Sequence, residues 1–450
     1  MSRRPALAGP LDADVVVIGG GYTGLWTAWH LLGMEPGVRV ALLDGDVCGY
    51  GPSGRNGGFC ESMWLRAPGL RERFGDGPAR MLLDASSESV AQIGAWCAEH
   101  DVDAWFDQSG YLCVSTASAF DEVGRRAVAA AAALGAPERV VELRRDAVQA
   151  RCRSPLFRGG VMIPDFATIQ PARLALGLRR RLIERGALVF EGSRVRGLQA
   201  GRGGVEAETA GGRVRARSAV LAVGPAARSV RPLRTRLSVT SSHIVLTEPV
   251  PDVLAEVGWT GGECITDGRT LLHYFRTTRD GRIAFGWGGG RLAYGARVNG
   301  RAEVDGRVAH RVHEDLLAVF PGLRGRRITH AWGGPIDVSP SHIPQLGTLP
   351  GAPVHFAFGY TGNGVGPSQL AGRILASLAL DRRDPPTRLP IVDSGAGAVV
   401  PPEPLAWLGG SLVRAALLRR ERAEQEGGRA DPLTRAVCAA PRAVGMHLAR

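Results

Sequence analysis

Glycines at 19, 21 and 24 in the spacing G-x-G-x-x-G, followed by an aspartate at 44, are residues whose types and positions could bind a dinucleotide. Gly19 permits a tight turn, Gly21 lets the backbone approach a pyrophosphate, and Gly24 lets a helix pack closely on the preceding strand. That helix would present unpaired N–H groups to the negative charge. Asp44, 20 positions after Gly24, could accept from a ribose hydroxyl. A second set could orient a reacting molecule. If Asp280 and Gly281 form a two-residue hairpin loop, Arg276 faces Phe285 and Tyr274 faces Trp287, so Leu272, Tyr274, Arg276, Phe285 and Trp287 share one face. An arginine among aromatics suits a ligand with an anionic end and an apolar or cationic body. A packed sheet face with a snorkelling arginine fits the same pattern, and both readings stay open. His273, Phe275 and Thr277 take the opposite face. His243 and His342 could each lie near a bound cofactor, although a lone histidine is more often structural.

The elements that must position these residues can be read from periodicity. Residues 15–18 are a continuous apolar run, as a strand buried on both faces requires, and residues 38–43 read as a second, largely apolar strand that ends on Asp44. Between them Leu25, Ala28, Trp29 and Leu32 recur at helical spacing from Gly24 onward. Glycines at 49, 51, 54, 57 and 58 suit a backbone lying flat against a large planar ligand. Helices are expected over 81–100, 121–134, 171–185, 304–320 and 368–380. Strands are expected over 105–115, 160–164, 188–191, 237–249, 270–287, 330–337 and 354–358, with a Gly-turned meander over 193–223. The glycine-rich stretch 359–366 opens the 368–380 helix and would aim N–H groups and a positive dipole end at a ligand. The order is a nucleotide-binding unit interrupted by strand-rich insertions. The fold class is α/β with an α+β second domain: a Rossmann-like domain with a central parallel sheet, interleaved with a substrate domain on a mostly antiparallel sheet. The expected boundaries are 1–85, 150–230 and 325–400 for the first domain, and 86–149 and 231–324 for the second. A helical appendage over 401–450 contains a basic amphipathic helix at 405–422, read as a surface helix with membrane attachment as the alternative, and a loosely ordered end from 429.

With 450 residues, 44% hydrophobic and 22% charged, the chain is globular and large enough for two domains. No apolar run reaches the length of a membrane span, and residues 1–10 lack a signal-peptide core, so the expectation is a cytoplasmic protein. The seven cysteines are scattered without C-x-x-C spacing, which argues for reduced thiols and against a disulfide framework or a metal site. The chain has no lysine: all 55 basic residues behind its net charge of +12 are arginines. They are spread along the chain, which argues against a nucleic-acid partner.

The opening fingerprint with Asp44, the string 51–58 (GPSGRNGG) and the string 359–366 (GYTGNGVG) resemble the FAD-dependent oxidoreductases of the D-amino acid oxidase superfamily. The Ser-Gly-Arg-Asn-Gly-Gly run, with Trp332-Gly and His342-Ile-Pro-Gln-Leu-Gly, is most similar to its γ-glutamylputrescine oxidase branch. The resemblance covers residues 12–380. It implies noncovalently bound FAD, with Gly19, Gly21, Tyr22, Thr23 and Gly24 at the pyrophosphate and Asp44 at the adenosine ribose. It further implies that Ser53, Gly54, Arg55, Asn56, Gly57 and Gly58 run from the pyrophosphate towards the isoalloxazine. Val195 would pair with adenine through its backbone, while Gly362, Asn363, Gly364 and Val365 would put N–H groups at the flavin's pyrimidine end. Arg276, Tyr274, His243, His342 and Trp332 are the catalytic candidates. The implied reaction is oxidation of a C–N bond in a small amine or amino acid: a hydride passes to flavin N5, water hydrolyses the imine, and oxygen or another acceptor takes the electrons. Some members of the superfamily activate oxygen with a lysine, which this chain lacks; an arginine, a histidine (His243, His273 or His342) or the product would have to serve. Two other readings remain: an NAD-dependent dehydrogenase, which leaves the strings at 51–58 and 359–366 unexplained, and a flavin-binding protein with a structural or partner role.

Overall fold

The computed structural model describes residues 2–446 except 202, 299, 396 and 444. Its centre is a six-stranded sheet in the spatial order Gln345–Thr348, Val354–Phe358, Ser218–Leu221, Val15–Ile18, Val40–Leu43, Leu188–Phe190. All pairings are parallel except that between Gln345–Thr348 and Val354–Phe358. Every residue of the Val15–Ile18, Val40–Leu43, Ser218–Leu221 and Val354–Phe358 strands is buried, which explains why Val15–Ile18 and Val40–Leu43 read as unbroken apolar runs. The helix Tyr22–Met34 covers this sheet and packs on Val365–Ala379. The two approach closely because residue 372 is glycine; a Cβ there would lie 2.5 Å from Cβ of Trp26. Trp26 and Trp29 both meet the edge of Trp96, on the helix Asp76–Glu99, with ring centroids 5.1 and 5.4 Å apart.

A second, eight-stranded sheet runs Ile328–Val338, Ser238–Thr247, Ile283–Trp287, His273–Thr277, Cys264–Asp267, Tyr111–Ser115, Gly159–Ile163, Val141–Leu143, antiparallel except where Cys264–Asp267 meets Tyr111–Ser115. The architecture is thus the expected parallel sheet and mostly antiparallel partner. The strands Gly159–Ile163 and Ile328–Val338, from stretches expected in the first domain, hydrogen-bond within the second sheet. The expected meander is a small sheet of Gly197–Gly201, Gly204–Glu208 and Gly212–Ala216, edged in parallel by Gly9–Asp12. Of the stretch 105–115 only Tyr111–Ser115 is strand.

The C-terminal segment departs from expectation. Leu405–Gln425 is a helix, but beyond it the chain forms a further helix, Pro432–Ala443, whose Thr434 and Cys438 are buried. The 405–425 helix is tied to the eight-stranded sheet: Glu421 Oε1 accepts the N–H groups of Thr270 and Leu271, and Arg414 donates to the carbonyls of Gly289 and Gly290. Composition alone hid this because both tethers are single polar side chains reaching loop backbone. Among the described residues no helix is long and apolar enough to cross a membrane.

One buried ion pair joins distant parts of the parallel-sheet layer. Glu191, just beyond the Leu188–Phe190 strand, holds Arg179 of the Pro171–Glu184 helix by two hydrogen bonds of 2.7 and 2.8 Å. The same carboxylate accepts the N–H groups of Arg4 and Cys48. These four donors hold its pKa down against the burial that pushes it up. Glu191→Ala, which strips the carboxylate from a buried guanidinium, should destabilise the protein by about 3–5 kcal/mol in urea unfolding; a loss below about 1 kcal/mol would show that the pair does not tie these segments together.

Candidate active site

The Val15–Ile18 strand ends in a turn whose glycines are sterically compelled. Gly19 has φ +108°, and a Cβ on it would lie 2.3 Å from the carbonyl oxygen of Ala222; on Gly24 a Cβ would lie 1.9 Å from that of Gly19. The helix Tyr22–Met34 starts after Gly21 with no side-chain cap from Gly21 itself. Ser53 Oγ accepts the Tyr22 N–H at 2.9 Å instead, linking the fingerprint to the second glycine string. Asp44 uses one carboxylate oxygen for the Gly20 N–H and the other for the Asp46 N–H, each at 2.6 Å. Burial raises its pKa, and those two N–H groups oppose the rise. Thr23 Oγ1 and the Tyr360 hydroxyl share a 2.9 Å hydrogen bond.

These residues line one cavity of about 1830 Å³. Gly19, Gly21, Tyr22, Thr23, Asp44 and Val195 line one region of it; Ser53, Arg55, Asn56 and Gly57 line it further along, and Gly362, Asn363, Gly364 and Val365 do so as well. Gly24, Gly54 and Gly58 stand behind the lining: a Cβ on Gly54 would meet the Gly49 carbonyl at 2.3 Å, and one on Gly58 the Ile169 carbonyl at 2.3 Å. The Val365–Ala379 helix begins at the cavity wall, three residues earlier than periodicity suggested. Asp337 on the adjoining strand fixes that loop by accepting the Gly359 N–H at 2.6 Å, and burial pushes its pKa up to about 6.

The hairpin register differs from expectation. Thr277 pairs with Ile283, so the loop has five residues and not two. Asp280 accepts from Thr278 Oγ1 and Arg282 Nε, and Thr278 exchanges backbone hydrogen bonds with Arg282 and Gly281, which builds a wider turn. One face therefore carries Tyr274 and Arg276 opposite Gly286 and Ala284, while Phe285 and Trp287 join His273 and Phe275 on the other. Tyr274 faces the cavity, hydrogen-bonded through its hydroxyl to Ser242 Oγ at 2.6 Å; its ring lies where a Cβ on Gly286 would be, 2.2 Å from Cζ.

Arg276 is buried and does not line the cavity. Its Nε donates to the Gly57 carbonyl at 2.6 Å and its Nη1 to that of Thr277. Burial lowers its pKa to about 10, so it stays charged at neutral pH. Trp332 acts on the same segment, donating from Nε1 to the Arg55 carbonyl at 2.8 Å. Both residues thus hold the 51–58 string from outside the cavity.

The structure separates the three histidines. Ser238, Thr240, Ser242 and Ile244 line the cavity, so alternation turns His243 to the far face, where it is buried beside Ser241 Oγ and burial lowers its pKa. His273 is buried between Asp267 (2.7 Å) and Asp315 (3.0 Å), which raise its pKa to about 9 against the effect of burial. His342 lines the cavity, at φ +55° in the turn after Ser339. Sequence reasoning missed a group at the cavity wall formed by Glu61, Arg66, Tyr111, Phe166 and Thr266, and the wall supplied by Gly409, Val413 and Arg414 of the Leu405–Gln425 helix. An acid directly after Phe59-Cys60 was the available signal for the first; the second carried none.

The family described as FAD dependent oxidoreductase (DAO) matches residues 14–378. A probable oxidoreductase OrdL of Rhizobium meliloti is 29% identical over 84% of this chain and 85% of its own. The gamma-glutamylputrescine oxidoreductase of Escherichia coli is 30% identical over 82% of this chain and 84% of its own. Among solved structures, glycine oxidase from Geobacillus kaustophilus has a TM-score of 0.69 at 20% identity, covering 83% of this chain and 96% of that one. Iminodiacetate oxidase from Chelativorans sp. BNC1 has 0.66 at 20% identity, covering 84% and 99%.

Asp44→Ala should weaken FAD binding by about 1.5–3 kcal/mol, the value of a hydrogen bond to a charged group; an unchanged dissociation constant would remove Asp44 from the ribose role. His273 makes a different prediction. Its pKa is raised on folding, so its stabilisation is complete below about pH 6.5 and disappears as pH rises through about 9. His273→Gln should therefore cost ~3 kcal/mol at pH 6 and much less at pH 10, measured by urea unfolding; a loss independent of pH would mean that the imidazolium is not what the two aspartates stabilise.

Proposed function

The chain belongs to the DAO family of FAD-dependent oxidoreductases, and we propose that it oxidises the C–N bond of a small amine or amino acid. FAD, noncovalently held, supplies the hydride acceptor, and water hydrolyses the resulting imine to an aldehyde or keto product. The observation that carries this reading is that one cavity joins the glycine cradle and Asp44 to a region walled by Tyr274, Tyr111 and Phe166. At Gly19 and Gly24 a Cβ would strike backbone, so only glycine allows the tight turn and the close strand–helix packing that a pyrophosphate-binding fingerprint requires. The names of the Escherichia coli relative and of the solved oxidases support the amine and amino acid class.

In this reading the side chains orient and shield; none acts as a nucleophile. Gly19 to Gly24 and Asp44 would hold the dinucleotide's pyrophosphate and ribose, and the backbone of Val195 would meet the adenine. The 51–58 string, fixed by Arg276 and Trp332, would run along the pyrophosphate towards the isoalloxazine. The N-terminus of the Val365–Ala379 helix would offer N–H groups and a positive dipole end to the pyrimidine end of the flavin. Tyr274, kept in place by Ser242, closes the substrate side. The layer around the six-stranded sheet serves the cofactor and the eight-stranded sheet serves the substrate.

Electron transfer to oxygen, giving hydrogen peroxide, is the leading outlet, with another acceptor as the second. Without a lysine, a positive charge near the acceptor would have to come from an arginine of the cavity wall, from His342, which is the histidine lining it among the described residues, or from the product. The test is anaerobic: amines and amino acids are added to the yellow holoenzyme and flavin bleaching is followed, then oxygen or an artificial acceptor is admitted. We expect a subset of primary or secondary amines to bleach the flavin and His342→Ala to slow its reoxidation by oxygen about 10-fold or more. No bleaching by any amine or amino acid sinks the reading; bleaching followed by reoxidation by the artificial acceptor alone assigns a dehydrogenase.

A further inference from the structure

One acid on the cavity wall has no function in the account above. Glu61 follows the short Phe59–Cys60 strand, is 5% exposed, and lines the cavity, yet its Oε1 has no hydrogen-bond partner. The position is fixed from behind: a Cβ on Gly366 would lie 2.1 Å from the Glu61 carbonyl oxygen, so the acid is set against the start of the Val365–Ala379 helix. The groups that face it electrostatically are Arg66, with which it forms no ion pair, and the buried thiols of Cys60 and Cys264; Tyr111 acts on Arg66 in turn. Buried carboxyls are ordinarily satisfied or paired, because leaving one bare is unfavourable. Glu61 lines the cavity, is held only by a hydrogen bond from its own N–H and has no ion-pair partner among the described residues, so a cation admitted to that cavity can supply one. The walls near it specify the partner's shape: Tyr111 stacks on Phe166 at 4.6 Å and meets Phe59 edge-on at 6.4 Å, an apolar, electron-rich surface suited to an alkyl group carrying positive charge.

We propose that Glu61 is the subsite for the substrate's cationic nitrogen, so that the enzyme takes alkylammonium ions and Glu61 accepts their proton before the carbon gives up its hydride. The inference rests on the cavity being an amine-oxidising site. The proton step is balanced: an N–H bond of R–NH3+ breaks, an O–H bond forms on the Glu61 carboxylate, and neutral R–NH2 remains, with no change of oxidation state. The neutral amine then has its nitrogen lone pair available to support loss of hydride from the adjacent carbon. Burial lifts Glu61 to about 8, which brings a carboxyl into the range where it can exchange a proton with an ammonium ion. At pH 7 the empty site therefore holds the proton on Glu61, and an arriving cation must displace it to solvent.

The test uses the FAD-loaded enzyme and tert-butylammonium, which has no hydrogen on the carbon beside nitrogen and cannot be oxidised. Binding is read from the perturbed visible band of the flavin, and proton release from an indicator dye in weak buffer at pH 7. The wild type should bind with release of about one proton, and its affinity should rise with pH through about 8. E61Q, which keeps shape and removes charge, should bind at least about 10-fold more weakly and release no proton, while E61D should retain part of both. Equal binding by E61Q, binding without proton release, or no binding by the wild type each overturns the proposal. The outcomes separate it from the wider reading. If primary amines bleach the flavin equally in wild type and E61Q, amine oxidation stands and the Glu61 subsite falls. If tert-butylammonium binds through Glu61 but no amine bleaches the flavin, the subsite stands and amine oxidation falls.

Discussion

The contact on which the rest depends is that between residue 24 and the carbonyl of Gly19, where there is no room for a Cβ. Because that space is empty, the first helix can leave the first strand at close range, and the sheet can place its neighbours on either side. The strand end, the helix start and Asp44 then converge within a few residues of one another. The Ser53 hydroxyl on the Tyr22 N–H extends the arrangement to the second glycine string. A single methyl group at residue 24 would therefore disturb the strand–helix junction, the cradle and the attachment of the 51–58 segment together.

That segment depends on a second constraint. Its glycines leave the backbone exposed, and exposed backbone carbonyls near a cavity need donors. Arg276 and Trp332, from different strands of the eight-stranded sheet, donate to the carbonyls of Gly57 and Arg55, and the Ile169 N–H donates to that of Gly58. The substrate-side sheet thus holds a segment that lines the cofactor region, and the two layers share one hydrogen-bonded seam. A charged guanidinium gives a stronger donor there than a neutral group would, which explains an arginine in a site with no carboxylate beside it.

Buried charge elsewhere follows a consistent rule. Glu191 faces Arg179, and His273 lies between Asp267 and Asp315; in each case the partners hold the ionised form. Asp337 is buried with backbone N–H groups alone, and its pKa rises accordingly. Glu61, also on the cavity wall, has its own N–H for compensation and one oxygen without a partner, and its pKa rises further. The contrast separates acids whose partners keep them ionised from Asp337 and Glu61, which have no ion-pair partner and whose pKa burial raises.

How much of this was legible in the sequence depended on sequence distance. The strand, the glycines, the first helix and Asp44 lie within thirty residues, and their chemistry is enforced by local backbone geometry, so spacing alone was sufficient. The parallel sheet was legible for the same reason: burial on both faces leaves an unbroken apolar run. The hairpin register was not, because the Thr278–Asp280–Arg282 side-chain bonds widen the turn by an amount that the Asp-Gly dipeptide does not encode, and a shift of one residue exchanges the partners on each face. Arg276 kept its place on the Tyr274 face but turned to backbone, a choice set by Gly57, more than two hundred residues away. The histidines could not be sorted because each one's setting comes from other strands: Asp267 and Asp315 for His273, strand alternation against a cavity that sequence cannot place for His243. The wall formed by Glu61, Tyr111, Phe166 and Arg414 is assembled from four separate stretches, so no single window contains its pattern. A cofactor cradle made locally is conspicuous in sequence, whereas a substrate chamber closed by distant elements can change its chemistry one residue at a time without altering any motif.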